Sequence, residues 1–276
     1  MAIITLTTDF GLKDHFVAVL KGSIYSELPD AKIVDISHDI MPFNIHECAY
    51  ILSNSYKSFP KGTIHIVGVD SEETPENKHV IALINGHYFI SANTGVIGLI
   101  TEEMTPDKVV EINLPDSIAN SFPVLNVFIQ VACHIVRGGT LEIVGKPFNE
   151  LQKLREFAPR IVEDGKKIIG SVIYIDNYGN VITNIRKNLF EAYRNGRDFK
   201  LLVRNHKIDK IHKAYGDFIN YEQEKSQRKG AGDLLAIFNS SDYIELAIFK
   251  SNLTTVGGAS TLLGLDYRDT IIVDFE

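Results

Sequence analysis

The chain lacks the marks of several large classes of protein. Its two cysteines, Cys48 and Cys133, both sit in apolar helical patterns, so they form no disulfide framework and show no metal-ligand spacing. A reducing, cytoplasmic setting fits them. No apolar run approaches the ~20 residues that a membrane-spanning helix needs. The first residues have neither a basic n-region nor a cleavage site, so export is not expected. Basic residues are not in surplus: 28 Lys and Arg stand against 35 Asp and Glu, a net charge of −7, which argues against a nucleic-acid partner. Gly-x-Gly-x-x-Gly and the P-loop pattern are both missing, so a ligand held by its di- or triphosphate is not expected. There is no internal repeat and no low-complexity tract.

What is present is a chain of 276 residues, 45% hydrophobic and 23% charged, long enough to bury a sizeable core. Its first part alternates strand-like and helix-like segments. Ile3 to Leu6 is a short apolar run, followed by a polar turn and then by Phe16, Val17, Leu20 and Ile24 at helical spacing. Ala31 to Ile36 reads as a strand, and Ile45, Cys48, Ala49 and Leu52 share one helix face. Thr63 to Val69 is nearly all apolar, as a strand covered on both sides should be. Val80 to Ile84 and Tyr88 to Ile90 flank the turn Asn85-Gly86. Val109 to Ile112 is a strand, and Val127 to Val136 a helix that stops at Gly138-Gly139. This alternation predicts an α/β domain with a mostly parallel sheet over residues 1–150. Residues 151–167 are polar and read as a linker. Short strand-like segments at 168–175, 180–185, 199–203, 234–238 and 243–247 then predict a small all-β barrel domain over 168–276. The charged run from Tyr221 to Gly232 reads as an exposed loop.

Carboxylates stand at the predicted carboxyl ends of three strands, Asp9, Asp35 and Asp70, where open α/β sheets bind ligands. Asp9 is placed either to take a pair of hydroxyls such as a ribose diol, or simply to cap the following helix. Asp35, with His38 close behind, reads as a capping or structural residue. Asp70 opens a long polar loop, Ser71 to His79, of the kind in which binding residues concentrate. In the second part, Asp176-Asn177-Tyr178-Gly179-Asn180 lies between two apolar strands. A hairpin turn accounts for it. So does a nucleoside-sized ligand: an aromatic face for stacking, an amide for base edges and a carboxylate for an ammonium. Asn239-Ser240-Ser241-Asp242 is a second such turn.

Thr8-Asp9-Phe10-Gly11 with Asp14-His15-Phe16, Lys21-Gly22, Asp35-Ile36-Ser37-His38, Phe59-Pro60-Lys61-Gly62-Thr63-Ile64-His65 and Asp176-Asn177-Tyr178-Gly179-Asn180-Val181-Ile182-Thr183-Asn184 follow one another in an order that resembles the S-adenosyl-L-methionine (SAM) hydroxide adenosyltransferase family, relatives of the fluorinase and chlorinase. The resemblance covers nearly the whole chain. It implies a homotrimer with sites between neighbouring subunits, and attack of water or halide on C5′ of SAM with loss of methionine, without a metal or other cofactor. By the same resemblance Asp9, beside Phe10, holds the ribose diol. Asp176 contacts the methionine amino group, Tyr178, Asn180 and Tyr215 face the adenine, and Ser240 and Ser241 grip the methionine carboxylate.

The family's hydrolases surround the attacking water with an aspartate, an arginine and a histidine. Asp70 matches the aspartate. The arginine's place falls to Asn77 or Lys78. The histidine's pattern reads Ser121-Phe122-Pro123-Val124-Leu125-Asn126 here, which puts Pro123 in its place and makes His79 the nearest substitute. No hydroxyl stands at Val124 to hold a halide. The expected activity is therefore hydrolysis of SAM to adenosine and L-methionine, with Asp70 as the catalytic residue. The alternative is a catalytically impaired SAM- or adenosine-binding protein of the same fold.

Overall fold

The computed structural model describes residues 3–101, 104–114, 121–154, 158–254 and 256–276. Two compact units divide the chain, Met1–Glu156 and Phe157–Glu276.

The first unit is built on a seven-stranded sheet. Its strands are β1 (Ile3–Thr8), β2 (Lys32–Ser37), β3 (Ile64–Gly68), β4 (His79–Ile84), β5 (His87–Ala92), β6 (Lys108–Ile112) and β7 (Gly145–Pro147), in the spatial order β2-β1-β3-β5-β4-β6-β7. Period-two alternation along the central strands feeds two cores. Ile4, Leu6, Ile64 and Ile66 face α1 (Phe16–Glu27), α4 (Ile129–Val136) and the short α5 (Leu141–Val144). On the other face Val67, Val80 and Phe89 pack with α2 (Ile45–Ser55) and α3 (Val96–Ile100). Strands buried on both faces explain the unbroken apolar runs.

The sheet corrects one expectation: it is not mostly parallel. β2, β1, β3 and β5 run parallel, but β4 is antiparallel to β5 and to β6, and β7 is antiparallel to β6. The cause is in the chain itself. Asn85 and Gly86 both have positive φ, 53° and 80°, which makes a two-residue hairpin. A two-residue loop can reverse a strand but cannot carry the crossover that a parallel neighbour requires.

A polar cluster is buried at the amino ends of β3 and β5. Thr5 Oγ1 lies 2.7 Å from His65 Nδ1, and His65 Nε2 lies 3.2 Å from His87 Nδ1. Tyr56, Phe59 and Phe89 enclose the His65 ring, with Phe89 stacked on it at 4.7 Å between centroids. Burial, and then the neighbouring His87, pushes the His65 pKa down to about 3.

The second unit is a nearly closed, barrel-like sheet. Its strands are β8 (Arg160–Val162), β9 (Lys167–Ile175), β10 (Val181–Arg186), β11 (Phe199–Val203), β12 (His206–Ile208), β13 (Ile211–His212), β14 (Leu234–Phe238), β15 (Tyr243–Ile248) and β16 (Thr270–Phe275). The order β12-β11-β16-β9-β10-β15-β14-β13 carries β8 beside β9. β9 is the shared element: its first half pairs with β16 and β8, and its second half with β10. Inward-facing Ile168, Val172, Val181, Leu201, Leu246 and Val273 fill the centre. The unit also has two short helices, α6 (Lys187–Arg194) and α7 (Ala259–Leu263), in addition to the strands expected over 168–276. Among the described residues no helix is long and apolar enough to cross a membrane.

Candidate active site

In the first unit the relevant residues gather at the carboxyl ends of β1 and β3. These strands are in register, with Thr8 opposite Gly68. Close approach depends on Gly68: a Cβ built there would lie 3.0 Å from Val124 Cγ2, 3.1 Å from Thr8 Cγ2 and 3.3 Å from the Phe10 ring. Asp9 and Asp70 therefore emerge close enough for their charges to interact. Burial raises the Asp9 pKa, and the charge of Asp70 adds to it. The Phe43 N–H, donating to Asp9 Oδ2 at 2.9 Å, works the other way. Phe43 itself has a positive φ of 63° and a 72% exposed side chain.

Asp70 also adopts the left-handed region, with φ of 48°. Aspartate and asparagine enter that region more readily than most residues, but it costs free energy and turns the side chain out of line with the strand. The turn after Asp70 is held from β4. His79, the first residue of that strand, is buried and lies with Nε2 2.9 Å from the Ser71 carbonyl oxygen. Thr74 closes the loop by accepting from the N–H groups of Glu76 and Asn77. Lys78 lies 3.9 Å from Glu73, and Asn77 is part of the Thr74 turn. Pro123 caps a π-helical turn, Val124–Phe128, with i→i+5 bonding. Phe128 on that turn meets the His79 ring edge-on at 4.9 Å.

The loop bearing Asp9 is tied to β2. His38 Nδ1 lies 2.8 Å from Thr8 Oγ1, and the Gly11 N–H donates to the His38 carbonyl at 2.7 Å. The other ring nitrogen of His38 lies 3.1 Å from Asp35, whose second oxygen accepts from Lys21. Asp35 is thus a structural anchor, and Lys21 and His38 hold its pKa down against burial. Phe10 joins Phe16 and Phe122 in an aromatic cluster beside Asp9, with centroids 5.6–5.8 Å apart.

In the second unit the turn between β9 and β10 is organised by one carboxylate. Asp176 Oδ1 accepts from the N–H groups of Tyr178 and Asn180 at 2.8 and 2.9 Å, and Oδ2 accepts from Asn180 Nδ2 at 2.9 Å. Gly179, with φ of 75°, lets this turn press against the Gly258 backbone. Tyr178 is left 66% exposed. Asp176, Tyr178, Asn180 and Tyr215 line one cavity of about 450 Å³, with Lys250 and Glu245 in its wall.

Glu245 carries no sequence signal beyond being one acid in the apolar run of β15. It is buried, and the Tyr215 hydroxyl donates to it. Burial raises its pKa; the Tyr215 bond opposes the rise and the charge of Asp176 adds to it. Ser240 and Ser241 occupy the β14–β15 turn and are not in the wall of that cavity. Asn239 connects the two places. Its side chain bonds Glu245, and its Oδ1 accepts from the N–H groups of Ser241 and Tyr243.

Models of the SAM hydroxide adenosyltransferase N-terminal and C-terminal domains match residues 4–145 and 170–272. The chain belongs to the SAM hydroxide adenosyltransferase family. The candidate residues of each unit fall inside the corresponding match. A (R)-S-adenosyl-L-methionine hydrolase from Methanocaldococcus jannaschii is 32% identical, over 98% of this chain and 94% of its own. A fluorinase from Nocardia brasiliensis is 26% identical over 73% of this chain and 77% of its own. The solved structure of an uncharacterized conserved protein from Thermotoga maritima superposes with a TM-score of 0.80 at 28% identity, covering 99% of this chain and all of the other. The family's two domains accordingly account for residues 4–145 and 170–272.

Proposed function

We propose that this family member is an adenosine-forming SAM hydrolase. Water attacks C5′ of the sulfonium substrate in line with the C5′–S bond. The bonding pair leaves on sulfur, giving neutral L-methionine and adenosine, and the proton released from the water passes to Asp70. The observation that carries the reading is the left-handed Asp70, set beside Asp9 at the ends of two in-register strands. Two carboxylates there suit a cationic substrate, one for the ribose hydroxyls and one for the water. The relatives named as hydrolases support the same chemistry.

Displacement at a sulfonium asks mainly for positioning and a desolvated nucleophile, because the leaving group departs without charge. That demand can be met without the arginine and histidine of better-equipped relatives. Asp176 takes the methionine ammonium, Tyr178, Asn180 and Tyr215 the adenine, and Ser240 and Ser241 the methionine carboxylate. We further propose a homotrimer working in the cytoplasm, for which the two free, buried cysteines are suited. A second reading, a binder of SAM or adenosine with little turnover, is favoured by Pro123 standing where relatives have a histidine. Incubating purified protein with SAM and following adenosine by chromatography decides between them. Adenosine formed in proportion to enzyme and time supports the hydrolase; bound SAM without adenosine leaves the binder.

A further inference from the structure

The hydrogen bonds around Asn180 have a direction, fixed from one side by Asp176 and from the other, through Tyr215, by a residue outside the expected site. Glu245, as a carboxylate, can only accept, so the Tyr215 O–H must point at it. The Tyr215 oxygen is then left as an acceptor, and it takes one Nδ2 hydrogen of Asn180 at 3.2 Å. Asp176 Oδ2 takes the other at 2.9 Å. Both amide hydrogens are spent. Among the described residues no hydrogen bond is made to Asn180 Oδ1, and this half-closed cavity is where Asn180, Tyr215 and Glu245 meet.

We propose that Glu245 is a positioning residue for base specificity: alongside Asp176 and acting through Tyr215, it keeps the second amide hydrogen of Asn180 occupied, so that the cavity offers only a hydrogen-bond acceptor and selects a base bearing an exocyclic amine. This rests on the adenine-side reading of the cavity given above. A 6-amino purine presents a donor to Oδ1. A 6-keto purine of nearly the same shape presents another acceptor, and two acceptors face each other without a proton between them. Sites built around a polar contact discriminate strongly against an analogue that leaves a buried partner unpaired. Glutamine at 245 would loosen this arrangement: its amide can donate to the Tyr215 oxygen and displace the Asn180 bond, which leaves one Nδ2 hydrogen free to meet a keto oxygen while Asp176 still holds the other.

The test is calorimetric titration of the full-length protein with adenosine and with inosine, comparing wild type, Glu245→Gln, Tyr215→Phe and the double variant. Wild type should prefer adenosine by about 100-fold or more, the upper end of what one unpaired buried partner costs. Glu245→Gln should lower that ratio at least tenfold, mainly by strengthening inosine, whose keto oxygen the freed Nδ2 hydrogen can meet. Tyr215→Phe should lower it comparably, and the double variant no further, because both act on one chain of bonds. If Glu245→Gln proves unfolded by circular dichroism, Tyr215→Phe alone decides. An unchanged ratio in the folded variants overturns the proposal, as does a wild type that binds neither nucleoside or both equally. A wild type that prefers adenosine but releases none from SAM sinks the hydrolase reading and leaves this one standing.

Discussion

Acidification from pH 7.5 to pH 5 is expected to cost the first unit about 2 kcal/mol through His65 alone. The ring is fully buried, touches Thr5 and His87 through its two nitrogens, and is packed between aromatic rings. With His65 and His87 both neutral, one ring donates and the other accepts across their 3.2 Å contact. If both were protonated, two N–H groups would face each other. The folded pKa is about 3 against an ordinary 6.5. Below pH 6.5 the unfolded chain therefore binds a proton that the folded chain refuses, so stability falls as pH falls. The loss runs at about 1.36 kcal/mol per pH unit until the folded value is reached, which at pH 5 amounts to roughly 2 kcal/mol. Urea unfolding at the two pH values, for wild type and for His65→Gln, isolates the effect as a difference of slopes. The variant starts lower because it disturbs the packing, but it should lose about 2 kcal/mol less on acidification. Equal losses in the two proteins would show that the ring is protonated or wetted at pH 5, and the reasoning would fail.

Asp70→Asn should cut adenosine release by about 100-fold or more, the usual scale of a lost general base. Calorimetry should find adenosine affinity within about threefold of wild type. Asparagine tolerates the left-handed backbone, so the change tests chemistry rather than folding; release at the wild-type rate would move the water elsewhere. Tyr178→Ala should weaken adenosine binding by roughly tenfold, because base stacking is worth on the order of 1–3 kcal/mol and the exposed ring has little structural work to lose. Unchanged affinity would remove Tyr178 from the base site.

Much of the first unit is legible in the sequence because its signals are local. Ile3 to Leu6 and Thr63 to Val69 announce strands, and the aspartates that follow them stand at strand ends whatever the sheet does next. The direction of β4 is legible too, since Asn85-Gly86 is a hairpin turn, and the parallel expectation arises from giving the strand–helix alternation more weight than that turn. The parts that stay hidden depend on residues far apart in the chain. Glu245 reads as one acid in the strand Tyr243–Ile248. Only the bond it accepts from Tyr215, 30 residues away, and through Tyr215 its link to Asn180 give it a role. Helix α6 is missed for another reason: it is only eight residues long, so its apolar set Leu189, Phe190 and Tyr193 spans barely two turns between strands, too short a window to be told from the neighbouring strand segments. The backbone N–H of Phe43 on Asp9 leaves no trace at all, because any residue but proline could supply it.

Because β4 runs against β3, the loop of residues 71–78 leaves and re-enters the sheet at the same end of its strands, and the His79–Ser71 contact closes it there like a clasp. Its contents are then nearly independent of the strands that hold it. Loop-closure entropy changes slowly with length, so residues can be added, dropped or exchanged between Ser71 and Lys78 at small cost to the core. The segment beside Asp70 behaves as an interchangeable cassette. Descendants of one scaffold can trade one set of groups around the same aspartate for another without refolding. Grafting an arginine-bearing loop between Asp70 and His79 becomes a local exercise, with the sheet as its fixed socket.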